Sequence, residues 1–379
     1  MVISLVYMFT SKIKSINMNF GKMDNDDLKG IIFENCGKQR PEIFKGPAFG
    51  VDVSVVNLPG GVGLAMTSDP LSLIPSLGLE ESAWLSVHLM ANDMATTGFA
   101  PMYAQMVLNL PAWLGKEDFN CYWNHIHQYC EAIGVAITGG HTGSIEGQNS
   151  TIAGGGTMLL TAPLQNILLS AQARAGDVIV VTKTCAISSS AILSMSFPET
   201  VKDKLGKETY HNACELFYQT SSLNEALIAS ATQDGAVSAM HDVTEGGVLG
   251  AVYEMAVASG NGVEIDNAAI PISHTVSEVC GLFELDPRFT VGAGSMIIAI
   301  NGTQAKNLIE RLKSYHIEAA IIGKFTAKEK GYKIIEEGLS KDLPYYASDA
   351  YWNAFFNSQK KDGNNFKSKE SYWRPLPGH

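Results

Sequence analysis

The stretch of this sequence that limits its fold most strongly is an apolar helix with an Asn-Asp pair near its end. The pattern predicts that the helix begins near Leu79, where acidic residues suit its dipole, and stops at Gly98 and Pro101. Asn92 and Asp93 stand near its end. Because buried polar groups need partners, these two side chains either form internal hydrogen bonds or line a polar site. The local pattern alone favours the internal hydrogen bonds.

Composition limits the classes of protein and partner that fit the chain. Its 379 residues, 46% of them hydrophobic, suit two domains with extensions. The net charge of −11, with no Lys/Arg cluster to offset it, argues against nucleic-acid and anionic-membrane partners, so a negative ligand would need metal ions or backbone amides. The six cysteines form no CxxC pair, and the sequence shows neither a secretion signal nor a bilayer-length apolar run. We therefore expect a cytoplasmic protein with reduced thiols.

Two features near the amino terminus leave alternatives open. Met18 is an alternative start, which would make residues 1–17 a disordered leader. Cys36 stands two residues before Lys38, and a thiol near a lysine can be an activated nucleophile. A lone cysteine after a helix is more often unreactive, so an inert Cys36 is the favoured interpretation.

Two aspartates are predicted to lie on a β-hairpin. Strand-period alternation on both sides of a Pro-Gly-Gly turn predicts this hairpin over residues 49–66. It would carry Asp52 and deliver Asp69 to its end. Carboxylates gathered at strand ends beside Asp93 are what a magnesium–phosphate site uses, because Mg²⁺ prefers oxygen ligands. The alternative is that Asp69 merely begins a turn before Pro70.

Glycine-rich segments recur after predicted strands. The first segment, directly after a strand that ends at Thr138, comprises Gly139, Gly140, His141 and Thr142. A further strand over residues 151–161 carries three consecutive glycines. Because glycine inside a strand is tolerated where a ligand or another backbone comes close, the two segments predict a phosphate-lined surface, although neither has Walker or Rossmann spacing. His141 is explained equally well as a loop hydrogen-bonder and as a base.

A second polar cluster opens a helix in the carboxy-terminal half. A strand over residues 236–240 leads into His241 and Asp242, and Gly246 and Gly247 then start the helix. Free amide groups at such a glycine-started helix point at an anion. This cluster is therefore a second candidate for the polar site.

Two motifs carry a resemblance to a known family. Asp93 followed by Gly98 and Pro101 resembles the D-x4-G-A-x-P signature of the AIR synthase-like (PurM-like) superfamily, with Phe99 where alanine is usual. Residues 241–247 resemble its H-D-x-T-x-G-G motif. The chain looks most similar to AIR synthase-related proteins near the hydrogenase expression/formation proteins HypE. The other pieces follow in the expected order: Asp52, Asp69, Asn92 and residues 139–142.

The resemblance implies an α+β, two-domain PurM-like fold. The amino-terminal mixed-sheet domain would close a β-barrel with its copy in a homodimer, and the carboxy-terminal α+β domain would pack beside it. The expected division is an extension over residues 1–44, domains over 45–165 and 166–327, and a tail over 328–379.

The resemblance also implies ATP and Mg²⁺ between the domains, and transfer of the γ-phosphoryl group to an oxygen of a small amide, carboxylate or phosphorylated substrate. The metal ligands would be Asp52, Asp69 and Asp93. The catalytic residues would be Asp93, His241 and Asp242. The nucleotide contacts would be Asp52, Asp69, Asn92, Gly139, Gly140, His141, Thr142, Gly246 and Gly247.

Departures from the family pattern limit this transfer of roles. Val51 replaces one of a usual aspartate pair, and Gly292 to Ser295 lack the usual glutamate. Hydrogenase-maturation members end in a cysteine that receives a carbamoyl group, whereas no cysteine follows Cys280, so we expect no support of cyanide-ligand synthesis. The alternatives are a non-catalytic nucleotide-binding regulator, a partner in a metabolic complex, or a HypE-like maturation factor without that cysteine.

Overall fold

The computed structural model describes residues 21–23, 25–232, 235–346 and 348–361. These residues form two domains, each built on one β-sheet. The predicted leader over residues 1–17 and the end of the predicted tail, from residue 362, lie outside the described residues.

The amino-terminal domain contains a six-stranded sheet. Its strands are β1 Ile43–Lys45, β2 Ser54–Leu58, β3 Val62–Ser72, β4 Tyr103–Pro111, β5 Ala136–Ile145 and β6 Ile152–Pro163. Their order is β1-β2-β3-β6-β4-β5, and every neighbouring pair is antiparallel except β4 and β5. Its helices are the short α1 Asn25–Asp27, which precedes the sheet, and α2 Leu79–Ala95 and α3 Lys116–Ala132, which pack against it.

The carboxy-terminal domain contains a seven-stranded sheet. Its strands are β7 Val178–Thr182, β8 Val237–Asp242, β9 Gly262–Asp266, β10 Met296–Ile300, β11 Ala319–Thr326, β12 Tyr332–Glu336 and β13 Leu339–Asp342. Their order is β13-β12-β9-β11-β7-β10-β8, so the sheet continues past residue 327, the expected end of this domain. The helices are α4 Ile187–Ser196, α5 Pro198–Glu215, α6 Leu223–Ser230, α7 Gly247–Ser259, α8 His274–Leu282, α9 Ala305–Ser314 and α10 Ala350–Lys361. Among the described residues, each helix is too short or too polar to cross a bilayer.

Helix α2 lies between the two domains. The sequence pattern predicts one apolar stripe of Trp84, Val87, Ala91 and Met94 on this helix. Val87, Ala91 and Met94 are fully buried in the amino-terminal core, whereas Trp84 is partly buried against a core cluster built mainly by the carboxy-terminal domain. Ala95, at the end of the helix, belongs instead to a core cluster built mainly by the carboxy-terminal domain. The residues near the end of α2 therefore face the boundary between the domains.

The free edge of the first sheet differs from the prediction. The alternation of residues 103–110, apolar on one face, predicts a strand that would leave an open edge in a single chain. In the structure this strand, β4, pairs with β6 on one side and with β5 on the other. The edge belongs to β5, and residues 139–142 lie inside this strand rather than in a loop after Thr138. Within the described part of one chain the sheet is open, so the dimeric barrel stays a prediction.

Gly140 is required by the close approach of β5 to β4. Its φ is +150°, and a Cβ there would lie 1.8 Å from the carbonyl oxygen of Met106. Gly140→Ala should therefore lower the free energy of unfolding by about 1–3 kcal/mol. Gly139 is the matched control, because a Cβ there meets nothing within 4 Å. Chemical denaturation of both alanine variants tests this, and equal midpoints would contradict it.

Candidate functional site

Four aspartates from separate elements converge where the domains meet. Asp52 precedes β2, Asp69 lies in β3, Asp93 lies near the end of α2, and Asp242 ends β8. The charges of the other three all act on Asp93, which places the four carboxylates in one neighbourhood. The structure thus brings together the aspartates that the sequence predicted for the metal and catalytic roles.

Two local predictions about these aspartates were wrong. Asp69 is not at a strand end and does not begin a turn, because β3 continues through Pro70 to Ser72 and Asp69 pairs with Gly156. Asp52 is not on the hairpin strand but on the segment before Ser54. Both errors concern the ends of strands, and neither removes an aspartate from the site.

Burial, together with neighbouring charges, makes Asp69, Asp93 and Asp242 hard to ionise. Burial raises the pKa of Asp69 to about 6, and the charge of Glu245 contributes. Burial and then the charge of Asp52 raise the pKa of Asp242 to about 7. Burial and then Asp242 hold the pKa of Asp93 well above its usual range, although the Thr67 hydroxyl donates to Asp93 Oδ2 at 2.7 Å. Repelling carboxylates of this kind favour a bound cation.

His241 lies between two carboxylates. Its Nδ1 is 2.7 Å from Asp52 Oδ2, and its Nε2 is 3.4 Å from Glu254 Oε2. Burial acts to lower the pKa of His241, but Asp52 and Glu254 outweigh burial and raise this pKa to about 10. Only Nδ1 makes a hydrogen bond among the described residues, while Nε2 faces Glu254 in a polar contact without hydrogen-bond geometry. His241 is thus arranged to hold Asp52 rather than to act as a free base.

The donor set at this site fits a hard divalent cation. The ligand atoms of Asp52, His241 and Asp242 all lie within 4.8 Å of one another. Mg²⁺ prefers carboxylate oxygens to imidazole nitrogen, and the His241 Nδ1 already faces Asp52. The carboxylates are therefore the candidate ligands, and Asp242 joins the predicted trio of Asp52, Asp69 and Asp93.

In the glycine turn before α7, a backbone N–H expected to bind an anion is already hydrogen-bonded within the chain. The Gly246 N–H, expected to be free for an anion, donates to Asp349 Oδ2 at 2.8 Å. Gly247 has φ +63°, and a Cβ there would lie 2.6 Å from the Arg288 carbonyl oxygen. Gly246 is thus not free for a ligand here, and Gly247 permits close packing. No local pattern in the sequence links Asp349 to this turn.

Residues 139–142 and Asn92 do not join the aspartates within one chain. Gly139, Gly140, His141 and Thr142 are exposed on β5, which two strands separate from β3. Asn92 is fully buried: its Nδ2 donates to the Thr220 carbonyl at 2.9 Å, and its Oδ1 accepts from the Ser222 N–H at 2.7 Å. Asn92 therefore ties the domains together, which supports the hydrogen-bonding interpretation over the nucleotide contact.

The sequence analysis did not predict two residues that form contacts next to His241, namely Glu254 and its partner Lys22. Glu254 is 3% exposed on α7, and Lys22 Nζ donates to it at 2.9 Å. A glutamate inside an otherwise apolar helix was a usable signal, by the same argument that singled out the pair at the end of α2. Lys22 had no such signal, because it lies in the amino-terminal extension, 232 residues before its partner.

Asp242→Asn should stabilise the metal-free protein more as the pH rises. The folded state raises the pKa of Asp242 from 3.8 to about 7, so it binds the proton more tightly than the unfolded chain. The stability from this bound proton is complete below pH 3.8 and is lost as the pH rises through about 7, whereas asparagine does not ionise. Melting temperatures measured in chelator across this window test the trend. A pH-independent difference between the variant and the wild type would contradict it.

Comparisons with known proteins agree with this architecture. Residues 50–159 match the N-terminal domain of AIR synthase related protein, and residues 174–336 match its C-terminal domain. The chain is 29% identical over 252 residues to carbamoyl dehydratase HypE of Escherichia coli K12, which covers 64% of this chain and 70% of that protein.

Solved structures give the same result. The crystal structure of E. coli HypE superimposes with a TM-score of 0.63 at 25% identity, over 75% of this chain and 86% of that one. A HypE structure in complex with ATP gives a TM-score of 0.64 at 19% identity, over 81% of this chain and 90% of that one, and shows the shared fold. With both domains matched in order, the chain belongs to the AIR synthase related protein family.

Proposed function

We propose that this chain is an ATP-dependent enzyme that transfers the γ-phosphoryl group of Mg-ATP to an oxygen of a small substrate. The convergence of Asp52, Asp69, Asp93 and Asp242 at the domain boundary carries this proposal. In a protein with a net charge of −11, such a cluster needs cations, and a triphosphate needs the same cations. The complex of HypE with ATP, which has the same fold, supports ATP as the nucleotide.

The chain's own residues would position the reactants rather than supply a strong base. The carboxylates of Asp52, Asp69, Asp93 and Asp242 would hold Mg²⁺, which neutralises phosphate charge when bound. His241 would keep Asp52 in place by the 2.7 Å contact. Phosphoryl transfer depends mainly on alignment and charge neutralisation, so in this proposal positioning matters more than a strong base.

The name of one relative supports a class of acceptor. The E. coli K12 relative is a carbamoyl dehydratase, a name that points to an amide-type oxygen as the atom activated. The likeness favours an amide acceptor over a carboxylate or a phosphorylated compound in this chain. A HypE-like maturation role and a non-catalytic regulator are the competing functions.

Measurement of ADP production separates these functions. Purified protein with Mg-ATP is incubated with a panel of small amides, carboxylates and phosphorylated compounds, and without acceptor as the control. We expect ADP release that depends on one amide-type compound. Mg-ATP binding without turnover on any compound would favour the regulator. Absence of Mg-ATP binding would overturn the proposal.

A homodimer is part of the proposed enzyme. The exposed edge strand β5 carries Gly139 to Thr142, and exposed Tyr103 and Val107 lie on the neighbouring β4. An unpaired edge beside apolar side chains favours pairing with a second copy. Sedimentation at micromolar concentration should show a dimer, and a monodisperse monomer would contradict this prediction.

A further inference from the structure

Glu254 is a buried carboxylate that the proposed reaction does not use. It is 3% exposed on α7, whose other buried residues are apolar or glycine. A charged group in such a place is costly unless it is paired. Its two partners are Lys22, with Nζ 2.9 Å away, and His241, with Nε2 3.4 Å away. These contacts indicate what the glutamate does.

Glu254 fixes the orientation of the His241 ring. The opposite ring nitrogen, Nδ1, lies 2.7 Å from Asp52 Oδ2. At Nε2 the ring makes no hydrogen bond among the described residues and faces Glu254 Oε2 through a polar contact of 3.4 Å. A hydrogen bond at Nδ1 and a carboxylate facing Nε2 favour one orientation of the ring, so Glu254 on one side helps to keep Nδ1 towards Asp52 on the other. Outer partners of this kind orient the ligands of metal sites.

Lys22 connects the amino-terminal extension to Glu254, and through Glu254 and His241 to Asp52. Its Nζ donates to Glu254, and its backbone N–H donates to Glu245 Oε2 at 2.6 Å. Lys22 lies outside both residue ranges that match the family domains, 50–159 and 174–336. Lys22 is thus fixed to two carboxylates beside the site.

We propose that Glu254 is a positioning residue that acts through His241 to hold Asp52 in the orientation a magnesium–phosphate ligand requires, with Lys22 as its charge partner. This inference rests on the proposed function. It adds a residue that touches no reacting atom and gives the amino-terminal extension a part in the site. Lys22, Glu254, His241 and Asp52 follow one another in contact, so this series of side chains connects the amino-terminal extension to one of the candidate cation ligands.

Two variants at one position separate positioning from packing. Glu254→Gln keeps the length of the side chain and an oxygen that can face Nε2 of the ring, whereas Glu254→Ala removes both. We expect Glu254→Ala to weaken Mg-ATP binding by about 10–100-fold in calorimetric titration. Glu254→Gln should restore binding close to the wild-type value. A glutamine variant as weak as the alanine variant would overturn the proposal.

Glu225 provides the matched control. It is 2% exposed on α6 and pairs with Lys183, so it is as buried as Glu254 and has the same type of partner. Glu225→Ala should lower the melting temperature through the loss of a buried pair and leave the Mg-ATP affinity of the folded protein unchanged. If Glu254→Ala behaves in the same way, its role is structural only and the proposal is wrong.

A measurement that needs no nucleotide tests the positioning role of Glu254 separately from the proposed ATP-dependent activity. In protein labelled with ¹⁵N-histidine, the proton between His241 Nδ1 and Asp52 should be protected from exchange in the wild type and in Glu254→Gln. It should exchange rapidly with water in Glu254→Ala. A protected proton in the alanine variant would overturn the positioning role. Absence of Mg-ATP binding by the wild type would instead overturn the proposed function, and the proton signal alone would then decide the role of Glu254.

Discussion

Asp93→Asn and Asp69→Asn are expected to weaken Mg-dependent ATP binding by at least about tenfold, which is about 1.4 kcal/mol. Asparagine keeps the shape of aspartate but removes the charge that a cation needs. The Thr67 hydroxyl can still donate to the oxygen of an asparagine at position 93, as it now does to Asp93 Oδ2 at 2.7 Å. The local structure should therefore survive the change while the ligand charge is lost.

The same substitutions should not destabilise the metal-free protein. Burial, followed by the charges of Asp242, Asp69 and Asp52, raises the pKa of Asp93, so its ionised form is unfavourable in the folded state. A neutral asparagine removes this repulsion. We expect the metal-free melting temperature to equal or exceed that of the wild type at neutral pH.

Calorimetry with Mg-ATP, read beside melting curves in chelator, tests both expectations. If these aspartates were only internal hydrogen-bonders, their loss would lower the melting temperature first and change the affinity little. Unchanged ATP affinity in both variants would remove the assignment of the site.

The amino-acid sequence predicted the helix of the site and its acidic residues for different physical reasons. Helix α2 was predictable because helical periodicity and glycine and proline stop signals are local. The hairpin and helix patterns already suggested Asp52 and Asp69 beside Asp93, and the motif resemblance added Asp242, since no local rule joins two domains in one cleft. The family match confirms that resemblance.

The errors arose where local signals and sheet pairing disagree. The glycines at 139 and 140 predict that the strand ends at Thr138, yet residues 139–142 pair with β4 and belong to strand β5. The contacts of Asp349 with Gly246 and of Lys22 with Glu254 join residues 103 and 232 positions apart. Such contacts depend on the completed tertiary structure, so neither composition nor periodicity could predict them.

Asn92→Ala is expected to destabilise the protein strongly, by about 2–5 kcal/mol, without a specific effect on the nucleotide. The side chain is fully buried, and its loss leaves the Thr220 carbonyl and the Ser222 N–H without their present partner. Each unpaired buried group costs about 1–3 kcal/mol. Because these bonds join α2 to the carboxy-terminal domain, the loss should loosen the domain boundary.

Asn92 and Asp93 are neighbours in sequence and should give opposite results. Denaturant unfolding should show a large loss of stability for Asn92→Ala and none for Asp93→Asn. Mg-ATP titration of the folded proteins should show near-wild-type affinity for the first variant and weak binding for the second. The contrast follows from geometry, since both polar ends of Asn92 bind backbone groups, whereas Asp93 faces three other carboxylates. Equal stability losses in the two variants would show that the end of α2 is structural throughout.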